Sequence, residues 1–247
     1  MIAPDLQAAL ESIVRSRILV IASDYDGTLS PIVDDPDAAI PDESALSALV
    51  TVAAAPSVRA LVVSGRSQDD LVRLSGAPSG VVLIGNHGAS HPLSGTDDLN
   101  DRRDVLMADI ESLVVSFPGT RSEVKPFSVA LHYRNAQDPQ GAAAAARSVA
   151  TTRGERILEG KMVVEVMLVE GNKGTAVAAY AQQNEADAIV FFGDDVTDED
   201  VFRIMSGGDV SVKVGPGDTA AQFRVSSPED VGTCLRILAD ALLPFRR

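Results

Sequence analysis

Residues 18–28 read Ile18-Leu-Val-Ile-Ala-Ser-Asp24-Tyr-Asp26-Gly-Thr28, and this stretch does most to determine the fold. Its first part is an unbroken apolar run, which predicts a strand covered on both faces within a parallel sheet. Two carboxylates, Asp24 and Asp26, follow where that strand should end. Like charges so close repel each other unless a cation lies between them or one is protonated. The stretch therefore predicts a metal site that includes a carboxylate able to act as a nucleophile.

The composition of the whole chain limits the class of partner. Its 247 residues are 45% hydrophobic and 23% charged, as in an ordinary soluble globular protein. The net charge of −14 argues against a nucleic-acid partner but leaves room for a small phosphorylated molecule, which needs only local cations and a metal. One cysteine, Cys234, fits a reducing compartment, and no signal peptide or apolar run of ~18 residues is visible. We expect a soluble, cytoplasmic protein with no membrane partner, in the form of a monomer.

Strand-like and helical segments alternate along the chain, which predicts an α/β fold with a Rossmann-like parallel-sheet core. The predicted strands of this core are Ile18–Ser23, Val58–Ser64, Val81–Gly85, Ala188–Gly193 and Asp209–Val214. The predicted helices are Asp5–Arg15, Glu43–Ala54, Gln68–Leu74, Lys173–Asn184 and Pro228–Leu243.

The pattern changes in the middle of the chain, where a helix and two short alternating strands occur twice. The predicted segments there are a helix at 99–117, strands at 122–124 and 128–133, a helix at Pro139–Thr152, and strands at Arg156–Leu158 and Met162–Met167. This order is typical of an antiparallel sheet with helices on one face. We therefore predict an inserted α+β cap domain at 93–170, with the catalytic core formed by 1–92 and 171–247.

Four polar segments lie at or beyond strand ends, where open parallel sheets bind their ligands. They are Asp24–Thr28, Ser64-Gly65-Arg66, Asn172-Lys173-Gly174 and Gly193-Asp194-Asp195-Val196-Thr197-Asp198-Glu199-Asp200. A turn, a helix cap or a solvated surface loop explains each one taken alone. Their occurrence together, in this order, predicts a phosphoryl-transfer site. The glycine turn with His87 and Gly88 follows the third core strand and should face the same cleft.

Charge neutralisation dominates the attack of a carboxylate on a phosphate, and this assigns roles to the predicted site. Asp24 would be the nucleophile, and Asp26 would protonate the leaving oxygen and later activate water. Lys173 would balance charge and Ser64 would donate a hydrogen bond to phosphate. The predicted Mg²⁺ ligands are Asp24, Asp26 and Asp194, with Asp195 and Asp198 orienting metal-bound water. The remaining predicted substrate-binding residues of these segments are Gly27, Thr28, Gly65, Arg66, His87 and Gly88.

The order Asp24-x-Asp26-Gly-Thr, Ser64, Lys173, Gly193-Asp194-Asp195 resembles the four motifs of the haloacid dehalogenase superfamily of phosphatases. The long stretch between Ser64 and Lys173 places the insert between the second and third motifs, which looks like the type IIB cap of that superfamily. Further strings resemble the trehalose-6-phosphate phosphatases. They are Gly193-Asp-Asp-Val-Thr-Asp-Glu-Asp200, Gly85-Asn-His-Gly88, Ala130-Leu-His-Tyr-Arg134, and Gly160-Lys161 with Glu165.

This resemblance implies Mg²⁺-dependent hydrolysis of trehalose 6-phosphate to trehalose and phosphate through an aspartyl-phosphate, as in trehalose biosynthesis. It also implies that Glu123, Lys125 and Glu165 of the cap bind the sugar hydroxyls. Two alternatives remain open at this point. One is a related phosphatase for another sugar phosphate, such as mannosyl-3-phosphoglycerate. The other is a non-catalytic sugar-phosphate sensor, whose mark would be loss of Asp24, Asp26, Lys173 or Asp194, all of which are present.

Overall fold

The computed structural model describes residues 2–88, 96–125, 127–168 and 172–243. The chain divides into two compact units. The core unit contains Met1–His91 and Gly171–Arg247, and the inserted unit contains Pro92–Glu170. The two junctions themselves, near the predicted boundaries at 92 and 171, lie outside the described residues.

The core unit is an α/β structure built on a six-stranded parallel sheet, which confirms the predicted fold class. Its strands are β1 (Leu19–Ser23), β2 (Val58–Val63), β3 (Val81–Ile84), β8 (Ala188–Gly193), β9 (Val210–Val214) and β10 (Phe223–Val225). They lie in the order β10-β9-β8-β1-β2-β3, with every neighbouring pair parallel. The helices are α1 (Pro4–Ile13), α2 (Glu43–Ala53), α3 (Gln68–Ser75), α6 (Lys173–Gln183), α7 (Glu199–Ile204) and α8 (Pro228–Leu242).

Strand β1 lies at the centre of this sheet and is buried on both faces. Leu19 and Ile21 pack in the apolar layer that contains α1, α2 and α8. Val20 and Ala22 alternate with them and pack in the layer formed with α6 and α7. Because both faces are covered, every residue of β1 is buried, and the apolar run of the sequence has its physical explanation.

The inserted unit is an antiparallel four-stranded sheet with two helices on one face. Its strands are β4 (Arg121–Lys125), β5 (Ser128–His132), β6 (Arg156–Gly160) and β7 (Val163–Met167), in the order β4-β5-β7-β6. Its helices are α4 (Thr96–Ser116) and α5 (Pro139–Arg153). Alanines of α5, including Ala142 and Ala146, pack with Val129 and Val164 of the sheet. Small side chains allow this helix to lie close to the strands.

Two elements differ from the sequence prediction. The short helix α7, which begins at Glu199 within the acidic run after β8 and has Asp198 at its N-cap position, was not predicted. The three-residue edge strand β10 follows an irregular segment and was not predicted. Among the described residues, no helix combines the length and apolar character that crossing a membrane requires.

Candidate active site

Three neighbouring strands bring the predicted catalytic residues to one edge of the sheet. Asp24 follows β1, Ser64 follows β2 and Asp194 follows β8, and β1 pairs with both of the others. Because parallel strands share an orientation, their carboxyl ends meet at this edge. The last participant is Lys173, the first residue of α6, where Asn172 forms a capping box with Thr175. The sequence signal for all four was a polar residue next to a buried element.

Lys173 joins two buried carboxylates. Its Nζ lies 2.8 Å from Oδ2 of Asp24 and 2.9 Å from Oδ1 of Asp198. The side chain of Lys173 is 2% exposed, so these contacts replace its hydration. Burial alone would lower the pKa of Lys173, but Asp198 and Asp24 outweigh it and raise the pKa. The lysine therefore stays charged beside the predicted nucleophile.

Asp198 also organises the loop that follows β8. Its second oxygen, Oδ2, accepts hydrogen bonds from the backbone N–H groups of Asp194 and Asp195, both at 2.9 Å. A side chain at Gly193 would collide with this carboxylate, since a Cβ there would lie 2.4 Å from Cγ of Asp198. Both oxygens of Asp198 are thus engaged by donors, which fits the predicted supporting role of this residue. Asp195, its predicted companion, is exposed.

An acidic group at this edge has the composition of a divalent-cation site. Oxygens of Asp24, Asp194 and Asp198 lie within 4.8 Å of one another. Burial and the charge of Asp198 raise the pKa of Asp24 well above its usual range, although Lys173 opposes the shift. Burial, again with Asp198, raises the pKa of Asp194 to about 6. These shifts reflect burial first and repulsion second, and a cation bound to the carboxylates would oppose both; oxygen donors are also those that Mg²⁺ prefers. The residues therefore fit a bound Mg²⁺, with Asp24 and Asp194 as the carboxylates available to it.

The carboxylate of Asp26 does not join this acidic group. Instead it forms a two-pronged ion pair with Arg66, whose Nε and Nη2 donate to its oxygens at 2.7 and 2.6 Å. The guanidinium also lies 5.6 Å from the ring centroid of Tyr25, whose hydroxyl donates to the carbonyl of Ala39. The structure therefore differs from the prediction that the Asp26 side chain ligates a metal, because both of its oxygens face Arg66.

Gly27 and Thr28 pack directly against Asp194. Gly27 has a φ of +77°, and a Cβ added there would lie 2.1 Å from Oδ2 of Asp194. Thr28 is buried, and its Oγ1 lies 3.4 Å from Oδ1 of Asp194. The turn after Asp26 thus holds the carboxylate of the neighbouring strand end, so these two residues position Asp194.

Ser64, Gly65 and His87 form a second cluster, at the ends of β2 and β3. Oγ of Ser64 accepts a hydrogen bond from the backbone N–H of Arg66, which leaves the hydroxyl hydrogen available to a ligand. A Cβ at Gly65 would lie 2.5 Å from the His87 ring, so the imidazole packs on that glycine. His87 and Gly88 both have positive φ, of 55° and 91°. Such backbone is uncommon for a non-glycine residue and occurs at functional sites.

Lys213 was not identified from the sequence, yet it contacts the same loop. It lies in β9, where it pairs with Gly193 in the neighbouring strand, and it is 4% exposed. Its ammonium group donates to the backbone carbonyl of Asp194. A lysine within the apolar run Val210–Val214 was the available signal, because an unpaired buried charge is costly.

The predicted sugar-binding residues all lie in the inserted unit. In the sheet register Glu123 pairs with Ala130 and Ala130 pairs with Glu165, while Lys125 pairs with Ser128. Glu123, Lys125 and Glu165 therefore share one face of the sheet, opposite to the face that packs on α4 and α5. Nζ of Lys125 lies 2.9 Å from Oε2 of Glu165.

A parallel α/β core, with acidic residues and a buried lysine at its carboxyl edge and an inserted α+β unit, defines a phosphatase of the haloacid dehalogenase type. Comparison with known proteins identifies the family. The trehalose-phosphatase family matches residues 22–229, and the chain therefore belongs to that family. Its members are phosphoric monoester hydrolases, and this chain is an enzyme of that class.

Individual relatives agree with this assignment. The chain is 34% identical over 231 residues to trehalose-6-phosphate phosphatase of Escherichia coli, covering 89% of this chain and 86% of the relative. It is 35% identical over 243 residues to a bifunctional trehalose-6-phosphate synthase/phosphatase of Thermoproteus tenax, covering 93% of this chain but only 32% of that protein. A solved structure of Aspergillus fumigatus trehalose-6-phosphate phosphatase superposes with a TM-score of 0.73 at 29% identity, covering 95% of this chain and 97% of that one.

Proposed function

We propose that this protein hydrolyses trehalose 6-phosphate to trehalose and phosphate, with Mg²⁺ as cofactor and a phosphorylated Asp24 as intermediate. The observation that carries the mechanism is the buried contact of Lys173 with Asp24, 2.8 Å long, beside Asp194 and Asp198. It keeps a cation next to the predicted nucleophile, where two anions must approach each other. The substrate is proposed from the family and from the names of its relatives.

In the first step an Oδ atom of Asp24 attacks the phosphorus atom, and the bond from phosphorus to the sugar oxygen breaks. For this step Asp26 exchanges one of its contacts with Arg66 for a proton, which it gives to the departing oxygen as trehalose leaves. Ser64 donates its free hydroxyl hydrogen to a phosphate oxygen. Lys173 offsets the negative charge on Asp24 and on the transferring group.

In the second step Asp26, now a carboxylate, takes a proton from water as the water oxygen attacks the phosphorus. The bond between phosphorus and Asp24 breaks, which regenerates the nucleophile and releases inorganic phosphate. When bound, Mg²⁺ would neutralise charge on Asp24, Asp194 and the phosphate. The inserted unit contributes Glu123, Lys125 and Glu165 as ligands of the sugar hydroxyls.

A substrate panel tests the proposed specificity. We expect phosphate release from trehalose 6-phosphate that requires Mg²⁺ and stops with a chelator, and far slower release from glucose 6-phosphate and mannosyl-3-phosphoglycerate. Faster turnover of another sugar phosphate would overturn the substrate but not the chemistry. Tight binding of trehalose 6-phosphate without turnover would overturn the enzymatic proposal itself.

A second experiment tests the intermediate. Asp24→Asn should abolish turnover while the melting temperature stays close to that of the parent, and rapid quenching of the parent should trap phosphate covalently on Asp24. The control is Asp218→Asn, which neutralises an exposed acid and should turn over normally. Normal activity in Asp24→Asn would show that another group is the nucleophile.

A further inference from the structure

Strand β5 of the inserted unit places two polar side chains between the predicted sugar-binding residues. It pairs with β4 on one side and with β7 on the other. Ser128 and His132 lie on the same face as Glu123 and Glu165, because successive side chains of a strand alternate. Neither has a role in the function proposed above.

Ser128 holds one of these carboxylates. Its Oγ donates to Oε1 of Glu165 at 2.5 Å, while Nζ of Lys125 lies 2.9 Å from Oε2. Ser128 and Glu165 are 2% and 7% exposed, so water does not readily replace either partner. With one donor on each oxygen, the plane of the carboxylate is fixed. The serine hydroxyl reaches Glu165 from the adjacent strand and has one rotatable bond, which makes it the stiffer of the two partners.

His132 holds the other carboxylate. Its Nε2 lies 2.6 Å from Oε2 of Glu123, on the neighbouring strand β4. This hydrogen bond is the main cause that lowers the pKa of Glu123. The two partners lie at opposite ends of β5. In the register His132 pairs with Arg121, at the start of β4, and Ser128 pairs with Lys125, at its end.

We propose that Ser128 and His132 are positioning residues that hold Glu165 and Glu123 in the orientation that binds the sugar of the substrate. The inference rests on the proposed function of this sheet face and adds the residues that orient its two carboxylates. A carboxylate that rotates freely must lose that freedom when a hydroxyl binds, whereas a fixed one has lost it already. Ser128 and His132 would therefore lower KM without touching the reacting phosphate.

Ser128→Ala provides the first test because it removes one of the two donors to Glu165 and leaves the other, Lys125, in place. A hydrogen bond to a charged group contributes enough that we expect KM for trehalose 6-phosphate to rise roughly tenfold. The kcat should stay within roughly twofold, since the catalytic edge lies in the core unit. Hydrolysis of p-nitrophenyl phosphate, which carries no sugar, should be unchanged. The matched control is Ser122→Ala, at a β4 position on the opposite face of the same sheet, which should leave KM unchanged.

His132 provides a rescue test. His132→Ala should raise KM for trehalose 6-phosphate as Ser128→Ala does, while His132→Gln, whose amide can still donate to Glu123, should restore most of the affinity. Equal defects in both His132 variants would mean that the ring acts in another way and would overturn this part of the proposal. Melting temperatures, together with the activity on p-nitrophenyl phosphate, separate such defects from misfolding.

Glu165→Gln separates failure of this inference from failure of the proposed function. A rise in KM in Glu165→Gln, with no change in Ser128→Ala or His132→Ala, would keep the sugar-binding face and overturn the positioning roles. No change in any of the three variants would overturn the sugar-binding role of this face. If the parent itself left trehalose 6-phosphate intact, the proposed function would fail.

Discussion

Among the single residues of the site, Arg66 makes a contact that no other side chain can reproduce. Its guanidinium binds both oxygens of Asp26, and its side chain is only 14% exposed. Lysine would keep the charge but not the two-pronged contact, so Asp26 would lose its fixed orientation. We expect Arg66→Lys to lower kcat for trehalose 6-phosphate roughly 10- to 100-fold, as measured by steady-state phosphate release.

Arg73→Lys is the matched control for this prediction. Arg73 also binds two carboxylates, those of Asp37 and Asp70, but its side chain is 51% exposed. Exposed ion pairs contribute about 0–1 kcal/mol, so both activity and stability should stay near those of the parent. Equal losses in the Arg66 and Arg73 variants would show that the loss in Arg66→Lys does not come from its contact with Asp26.

At this scale the sequence reveals which residues are unusual but not what they touch. Asp24 and Lys173 could be predicted because each is a charge placed against an apolar strand or helix. The pairing of Asp26 with Arg66 could not, because the two residues lie in the turns after different strands, β1 and β2, and their contact depends on side-chain geometry. Lys213 was missed for the same reason, since its partner is a backbone carbonyl at the end of another strand.

Among the elements, the turn after β1 is the one that tolerates least change. Gly27 has a positive φ, and a Cβ there would lie 2.1 Å from Asp194. Gly27→Ala must therefore displace the carboxylate that we propose as a metal ligand, in addition to straining the backbone. We expect the apparent affinity for Mg²⁺, measured from the activation of phosphate release, to fall roughly tenfold or more.

Gly76→Ala isolates the backbone strain in that experiment. Gly76 follows α3 with a φ of +70°, but no heavy atom lies within 4 Å of the position that a Cβ would occupy. This variant should lose about 1 kcal/mol of unfolding free energy and keep the parent affinity for Mg²⁺. Should Gly76→Ala weaken Mg²⁺ as much as Gly27→Ala, contact with Asp194 would not be the cause.

Helix α8 carries a cysteine whose titration should affect stability at high pH. Burial, with Asp230, raises the pKa of Cys234 to about 12, from 9.0. The folded state disfavours the thiolate more than the unfolded state does. The contribution of Cys234 to the unfolding free energy is therefore complete below about pH 9 and is lost as pH rises towards 12. Between about pH 8 and about pH 10.5, the parent should lose about 2 kcal/mol more unfolding free energy than Cys234→Ser, measured with urea. Equal losses in both proteins would contradict the assignment.

Elements were predictable where hydrophobic pattern alone decides them. The predicted strand Val58–Ser64 corresponds to β2, and the predicted helix Lys173–Asn184 corresponds to α6. The hydrophobic pattern does not predict elements whose position depends on contacts with distant parts of the chain. Helix α7 begins inside an acidic run, next to a loop that Asp198 organises. Asp198 is held by Lys173 and accepts hydrogen bonds from the backbone N–H groups of Asp194 and Asp195. Edge strand β10 has three residues, too few for a period.

For the whole molecule, the chain order carries more information than its composition. Parallel strands predict crossover helices, and a stretch that switches to short alternating strands between two such units predicts a separate sheet. The structure contains that four-stranded antiparallel sheet, and its strands lie between β3 and α6 in chain order. Composition gave only the acidic net charge of −14, which does not reveal that three acids converge at one edge.

That convergence predicts that Mg²⁺ stabilises the whole protein against unfolding. Oxygens of Asp24, Asp194 and Asp198 lie within 4.8 Å of one another, while Lys173 contacts Asp24 and Asp198, so the metal-free state retains repulsion that the unfolded chain does not. A ligand that binds only the folded state at 100 times its Kd adds about 2.7 kcal/mol. For a chain of this size the melting temperature should rise by about 5–10 °C in calorimetry with saturating Mg²⁺.

Asp194→Asn should lose this rise yet be no less stable than the parent without metal, because it removes one repelling charge. Asp218→Asn, an exposed acid, should keep the full rise. An undiminished rise in Asp194→Asn would place the cation elsewhere.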